Sequence, residues 1–81
     1  MKFTVRFFAR ARDLVGQASV VLELEEGARI GDLRTRLAAE FPPLQPLLPH
    51  LLMAVQEDYV SDETIIPAHS EVACFPPVSG G

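Results

Sequence analysis

Ile30-Gly31-Asp32-Leu33-Arg34-Thr35-Arg36-Leu37-Ala38-Ala39-Glu40-Phe41 is the one long helical stretch of this chain, and it decides the fold. Ile30, Leu33, Leu37 and Phe41 fall near helical spacing, while Arg34, Arg36 and Glu40 lie elsewhere on the circumference. Asp32 suits the positive end of the helix dipole, and Asp32–Arg36 and Arg36–Glu40 are i,i+4 pairs worth a few tenths of a kcal/mol each. Pro42-Pro43 stops the helix. Short strands precede and follow this helix. Residues 2–8 alternate, with Phe3, Val5 and Phe7 on one face and Lys2, Thr4 and Arg6 on the other. Phe8 falls on the polar parity, an anomaly for a half-buried strand. Ala9 to Val15 reads as a short helical turn ended by Gly16, and Ser19 to Leu24 as a second strand, with Gly27 as a break.

After the helix, prolines at 42, 43, 46 and 49 predict a bent, leucine-bearing connection that lies on the core. Leu51 to Gln56 reads as a third strand, Glu57-Asp58 as a polar turn, Tyr59-Val60 as a return strand, and Glu71 to Phe75 as the last strand, ended by Pro76. This order is α+β rather than an alternating parallel fold. One mixed sheet wrapped around one main helix buries every apolar face, which is a β-grasp, or ubiquitin-like, architecture. The expectation is a single domain over 1–81, with 76–81 as a flexible reactive tail.

Composition narrows the function. A chain of 81 residues buries only about 60–65% of the surface its unfolded form exposes, leaving little room for a deep substrate pocket. A net charge of −4 argues against non-specific nucleic-acid binding, although Arg6, Arg10 and Arg12 cluster. The single cysteine, Cys74, excludes an intramolecular disulfide and a multi-thiolate metal cage. Its parity with Val72 points inward, to a buried, inert thiol. His50 and His69 show no ligand or triad spacing, so no metal site is expected. Tyr59 reads as a strand residue, and nothing near Lys2 singles it out as a conjugate acceptor. No apolar run reaches the roughly 18–20 residues of a membrane span, and charges at Lys2, Arg6, Arg10, Arg12 and Asp13 leave no apolar core for a signal peptide. The cytoplasm is the default address.

The most specific motif is Phe75-Pro76-Pro77-Val78-Ser79-Gly80-Gly81. Two prolines stiffen the approach, and the diglycine ends in a carboxylate without a neighbouring side chain. Open access to that carbonyl carbon suits a terminus that reacts inside another protein. From Val78 to Gly81 the extended reach is about 13–14 Å. In a β-grasp sheet the first and last strands are neighbours, which brings Phe8 near Phe75. Two aromatics off the core parity beside the tail suggest a docking patch of Phe8, Phe75, Pro76 and Pro77; the other reading is that a loop covers them. Arg10 and Arg12 are candidates for pairing with acidic groups of a partner, or else solvated charges on a short helix.

The ending, with Glu71-Val72-Ala73 before it, resembles the C-terminus of the molybdopterin synthase small subunit family. So do the start, Val5-Arg6-Phe7-Phe8-Ala9-Arg10-Ala11-Arg12-Asp13-Leu14-Val15-Gly16, the helix opening Ile30-Gly31-Asp32-Leu33-Arg34 and the strand Ala54-Val55-Gln56. The resemblance covers essentially the whole chain. There are departures: the family often has Asn at Gln56, Gly-Asp at His69-Ser70 and a Thr-like helix cap at Arg29. A lost cap costs about 0.5–2 kcal/mol.

The resemblance implies a sulfur carrier. An adenylyltransferase resembling the ubiquitin activators would adenylate Gly81 with ATP, and sulfur from a persulfide donor protein would displace AMP to give a thiocarboxylate. The tail would enter the large synthase subunit, within a heterotetramer, and give its sulfur to cyclic pyranopterin monophosphate to build the molybdopterin dithiolene. Gly81 would be the reacting group, Gly80, Ser79 and Val78 its tail, and the catalytic side chains would belong to the partners. The chain would bind no cofactor itself and act as the sulfur-donating subunit of a sulfurtransferase. Carriers for thiamine thiazole, transfer-RNA thiolation or cysteine synthesis, a ubiquitin-like protein modifier, and a plain interaction module remain as alternatives.

Overall fold

A computed structural model of the chain describes residues 1–77. In chain order the elements are β1 (Lys2–Phe7), α1 (Ala9–Val15), β2 (Ser19–Glu23), α2 (Ile30–Glu40), β3 (Leu52–Val55), β4 (Asp58–Val60) and β5 (Glu71–Phe75). Two 3₁₀ turns, Pro42–Leu44 and Leu48–His50, lie between α2 and β3. The five strands form one sheet in the order β2-β1-β5-β3-β4. β1 and β5 run parallel at its centre, and the remaining pairs are antiparallel. This is the β-grasp architecture: a mixed sheet with the main helix on one face. No described helix is long and apolar enough to cross a membrane.

Strand parity sets the core. Phe3, Val5 and Phe7 of β1, Leu22 of β2, Met53 and Val55 of β3, and Val72 and Cys74 of β5 are all buried on the helix side. Ile30, Leu33 and Leu37 of α2 meet them and are fully buried. Phe7 packs edge-on against Phe41, with ring centroids 6.0 Å apart. Pro42 and Pro43 end α2 and open the first 3₁₀ turn, where the missing proline N–H groups cost nothing. The two turns seat Leu44 and Leu48 in the core, so the proline-rich connection is leucine-bearing and applied to the core as its sequence predicts.

The start of α2 resolves the missing cap. Arginine has no acceptor, so the Arg29 side chain cannot cap. Asp32 Oδ2 instead accepts from the Arg29 backbone N–H at 2.8 Å, and the Arg29 guanidinium donates to Glu63 O at 2.8 Å. The Ile30 and Gly31 N–H groups donate to Thr64 O and Asp62 O, each at 2.9 Å. A neighbouring loop thus satisfies donors that a Thr cap serves elsewhere. Asp32 serves this end of the helix, and Arg36 pairs with Glu40 at 3.1 Å.

Several boundaries differ from the sequence reading, and β2 ends at Glu23 rather than Leu24. β1 stops at Phe7, because Phe8 (φ −124°, ψ 150°) is the residue that leads into α1 and Ala9 turns to φ 52°. β3 spans Leu52–Val55 rather than 51–56. The β3–β4 turn is Gln56-Glu57, not Glu57-Asp58: Val55 pairs with Asp58, and both loop residues have positive φ, 51° and 70°. A two-residue hairpin of this kind favours Asn-Gly. The combined change Gln56→Asn and Glu57→Gly is therefore expected to stabilise the fold by about 1 kcal/mol, by relieving left-handed strain at two residues. A urea midpoint at or below wild type would refute it.

Candidate docking face and C-terminal segment

The face of the sheet away from α2 carries the predicted site. The β1–β5 pairing places the two strand ends side by side, and the Phe8 N–H donates to Cys74 O at 3.2 Å. The Phe8 and Phe75 rings stack, with centroids 4.6 Å apart and planes 10° from parallel. Phe8 is 39% exposed, so the described residues leave this pair open rather than covered by a loop. Tyr59, 68% exposed, meets Phe75 edge-on at 6.4 Å. Leu52 lies opposite Phe75 in the β3–β5 register and is also exposed. Ala54 and Ala73 form the floor between Tyr59 and the stack. Such offset and edge-on aromatic pairs contribute about 0.5–1.5 kcal/mol each beyond area burial.

Pro76 is half-buried and Pro77 exposed, directly after Phe75. Val78, Ser79, Gly80 and Gly81 lie outside the described residues. Arg6, Arg10 and Arg12 are exposed. Arg6 faces Glu71 at 3.5 Å across the β1–β5 pair. Arg12 sits in the last turn of α1, where a cation complements the helix dipole, and borders a shallow depression with Asp13 and Gln17. Sequence reasoning singled out Phe8 and Phe75 but missed Tyr59 and Leu52. Tyr59 has outward parity under either turn, but the expected turn set it opposite Gln56 rather than Ala54, out of reach of Phe75.

Cys74 is not part of this face. Its thiol is buried and donates to Met53 Sδ at 3.1 Å. Burial pushes it up from 9.0 to about 12, with Arg34 opposing weakly. A thiol held neutral in the fold is a poor nucleophile. The raised value also sets the sign of its pH dependence: this contribution to stability is complete below pH 9 and is lost as pH rises toward 12, because only the unfolded chain ionises there. Native protein is expected to resist iodoacetamide at pH 8 and to be labelled at Cys74 once unfolded in urea. Rapid native labelling would return the thiol to the list of reactive groups.

Among the described residues, no three His, Cys, Asp or Glu side chains are grouped to hold a metal ion. What the face offers chemically is an exposed apolar surface directly before the C-terminal segment.

Comparison with known proteins agrees with this geometry. A molybdopterin synthase sulfur carrier subunit from Arabidopsis thaliana is 32% identical over 81 residues, covering 100% of this chain and 84% of its own. Small archaeal modifier protein 3 from Haloferax volcanii is 32% identical over 94 residues, covering 100% of both chains. A solved Pyrococcus furiosus structure, provisionally named molybdopterin converting factor subunit 1, superposes with a TM-score of 0.86 at 30% identity, covering 96% of this chain and 99% of that one. The family model described as the ThiS family matches residues 5–81, and the chain belongs to that family.

Proposed function

We propose that this chain is the sulfur carrier subunit of a molybdopterin synthase. The Gly81 carboxylate attacks the α-phosphate of ATP on an activating adenylyltransferase, and pyrophosphate leaves. A donor protein's persulfide then displaces AMP from the acyl carbon to give an acyl disulfide, and a second thiol cleaves its S–S bond, releasing the thiocarboxylate and leaving a disulfide between the two thiols. The tail enters the large synthase subunit, in a heterotetramer, and delivers sulfur to cyclic pyranopterin monophosphate. The carrier itself holds no cofactor and contributes no catalytic side chain. The observation that carries this reading is the outward Phe8–Phe75 stack immediately before Pro76-Pro77 and the diglycine, in a chain that matches the ThiS family through residue 81.

The test is dithiolene formation from cyclic pyranopterin monophosphate with the cognate large subunit and this protein, its thiocarboxylate verified by intact mass. Product is expected, and none from protein lacking Gly81. A verified thiocarboxylate that yields no product moves the chemistry to thiazole, transfer-RNA or another thiolation route. The equal identity to small archaeal modifier protein 3 favours one second reading, attachment of Gly81 to protein amines. Higher-mass adducts in extracts that vanish without Gly81 would establish it.

A further inference from the structure

Once activated, Gly81 is an acyl electrophile on a short tether, and any amine within the tether's reach competes with the sulfur donor. An amine attacks only as the free base. Near pH 7.5 about one lysine in a thousand is neutral, against roughly one arginine in a hundred thousand or fewer. Six of the seven basic residues are arginine, and Lys2 is the only lysine in the sequence.

The fold separates the amines from the tail. β1 and β5 run parallel, so Lys2 at the start of β1 and the segment after β5 lie at opposite ends of the sheet. Phe8 marks the tail end, since its N–H donates to Cys74 O and its ring stacks on Phe75. Lys2 lies six residues back along the strand, about 20 Å at about 3.3 Å per residue. The Met1 amine shares that far end, part-buried and donating to Leu24 O at 2.7 Å. Arg10 and Arg12 instead follow Phe8 by two and four residues and are exposed. They fall within the about 13–14 Å that the chain spans after Pro77. The Cys74 thiol is buried against Met53 on the opposite face. His50 stands two residues before Leu52, which pairs with Phe75, but an acylated imidazole hydrolyses back to the carboxylate and traps nothing.

Nothing in the fold asks for arginine at 10 or 12. Among the described residues neither forms an ion pair, and a lysine would serve the end of α1 as well as Arg12 does.

We propose, resting on the activation of Gly81 set out above, that the tail end of this protein is kept free of amines so that the activated terminus survives until the sulfur donor acts, and that Arg10 and Arg12 supply positive charge there without a nucleophile. The reaction avoided is self-acylation. An amine nitrogen attacks the acyl carbon and a C–N bond forms. The bond from that carbon to the phosphate oxygen breaks, AMP leaves with the electron pair, and the ammonium proton passes to solvent. The amide is stable, so each such event removes one carrier from use.

The experiment follows the full chain, prepared with Gly81 as a thioester, by intact mass at pH 8; a thioester reacts with amines in the same way, with a thiol as leaving group. Wild type is expected to lose its thioester by hydrolysis. Arg10→Lys and Arg12→Lys are expected to form an internal amide, one water lighter than the free acid, at about tenfold the wild-type rate of amide formation or faster, because a short tether holds the amine at roughly millimolar effective concentration. Arg36→Lys, on α2 across the sheet, should match wild type. If Arg10→Lys and Arg12→Lys are as inert as wild type, the arginines reflect composition alone and the proposal is overturned. A wild-type thioester that rapidly acylates Lys2 or the Met1 amine overturns it too. ATP–pyrophosphate exchange with the cognate adenylyltransferase, measured alongside, separates the two readings. No exchange with wild type removes the activation reading and this proposal with it, whereas exchange together with inert lysine variants overturns this proposal alone.

Discussion

Phe75→Ala is expected to raise the Kd for the large synthase subunit by about 30- to 900-fold, the loss of about 2–4 kcal/mol typical of a central aromatic anchor. The reason is geometric. Phe75 is the hub of the face: it stacks on Phe8 at 4.6 Å and receives the Tyr59 edge at 6.4 Å, so its removal loosens both neighbours as well as deleting its own contact area. It also directly precedes Pro76 and Pro77, and a shift there moves both. The fold should survive. Val72 and Cys74, the alternate residues of β5, make its core contacts from the opposite face, and both are fully buried. The stability loss should be about 1–3 kcal/mol, from two aromatic pairs. Calorimetric binding and a urea curve on the same variant separate the two effects. Phe75→Leu keeps much of the area but not the stack, and should fall between. A Phe75→Ala carrier that folds and binds as tightly as wild type would remove this face from the interface.

How far this face was legible in sequence follows from parity. Alternation across Lys2–Phe7 and Glu71–Phe75 places Phe8 and Phe75 on the outward side, and the β-grasp order makes those strand ends neighbours. The stack was therefore readable from residue identities. Tyr59 was not, because its position depends on the hairpin register. A turn at Glu57-Asp58 sets Tyr59 opposite Gln56, at the far end of β3. The actual turn at Gln56-Glu57 sets it opposite Ala54, within reach of Phe75. Turn propensity pointed the wrong way, since neither Gln nor Glu favours positive φ and local sequence carries no mark of the strain. The same limit applies to residues 61–70. Their carbonyls complete the start of α2, a tertiary arrangement that no short-range pattern encodes.

Arg34 shows that limit most sharply, and its loss should be the largest single polar effect on stability. In sequence it is one more charge on the outward circumference of a helix. In the structure its side chain is only 21% exposed and joins three segments. Nε donates to Asp62 Oδ1 at 2.9 Å, and Nη1 donates to Leu51 O at 2.9 Å and to Leu48 O. The planar guanidinium thereby ties α2 to the loop after β4 and to the second 3₁₀ turn, whose carbonyls have no strand partner. Arg34→Ala leaves the part-buried Leu51 carbonyl without this donor, at about 1–3 kcal/mol if no water replaces it, takes one of two donors from the Leu48 carbonyl, which still accepts from the Leu51 N–H at 3.2 Å, and removes an exposed-side ion pair worth about 0–1 kcal/mol. Partial rehydration lowers the sum, and a net loss of about 1–3 kcal/mol is expected. For 81 residues total stability is about 4–12 kcal/mol, so the variant loses a large share of it. Arg34→Lys should recover less than half, because an ammonium on a flexible stem cannot span the three acceptors in one plane. Asp62→Asn, which removes only the charge of the exposed partner, should cost under about 1 kcal/mol. Urea midpoints for the three variants decide the matter. If Arg34→Ala costs no more than Asp62→Asn, the carbonyl contacts contribute nothing and the helix is held by its buried leucines alone.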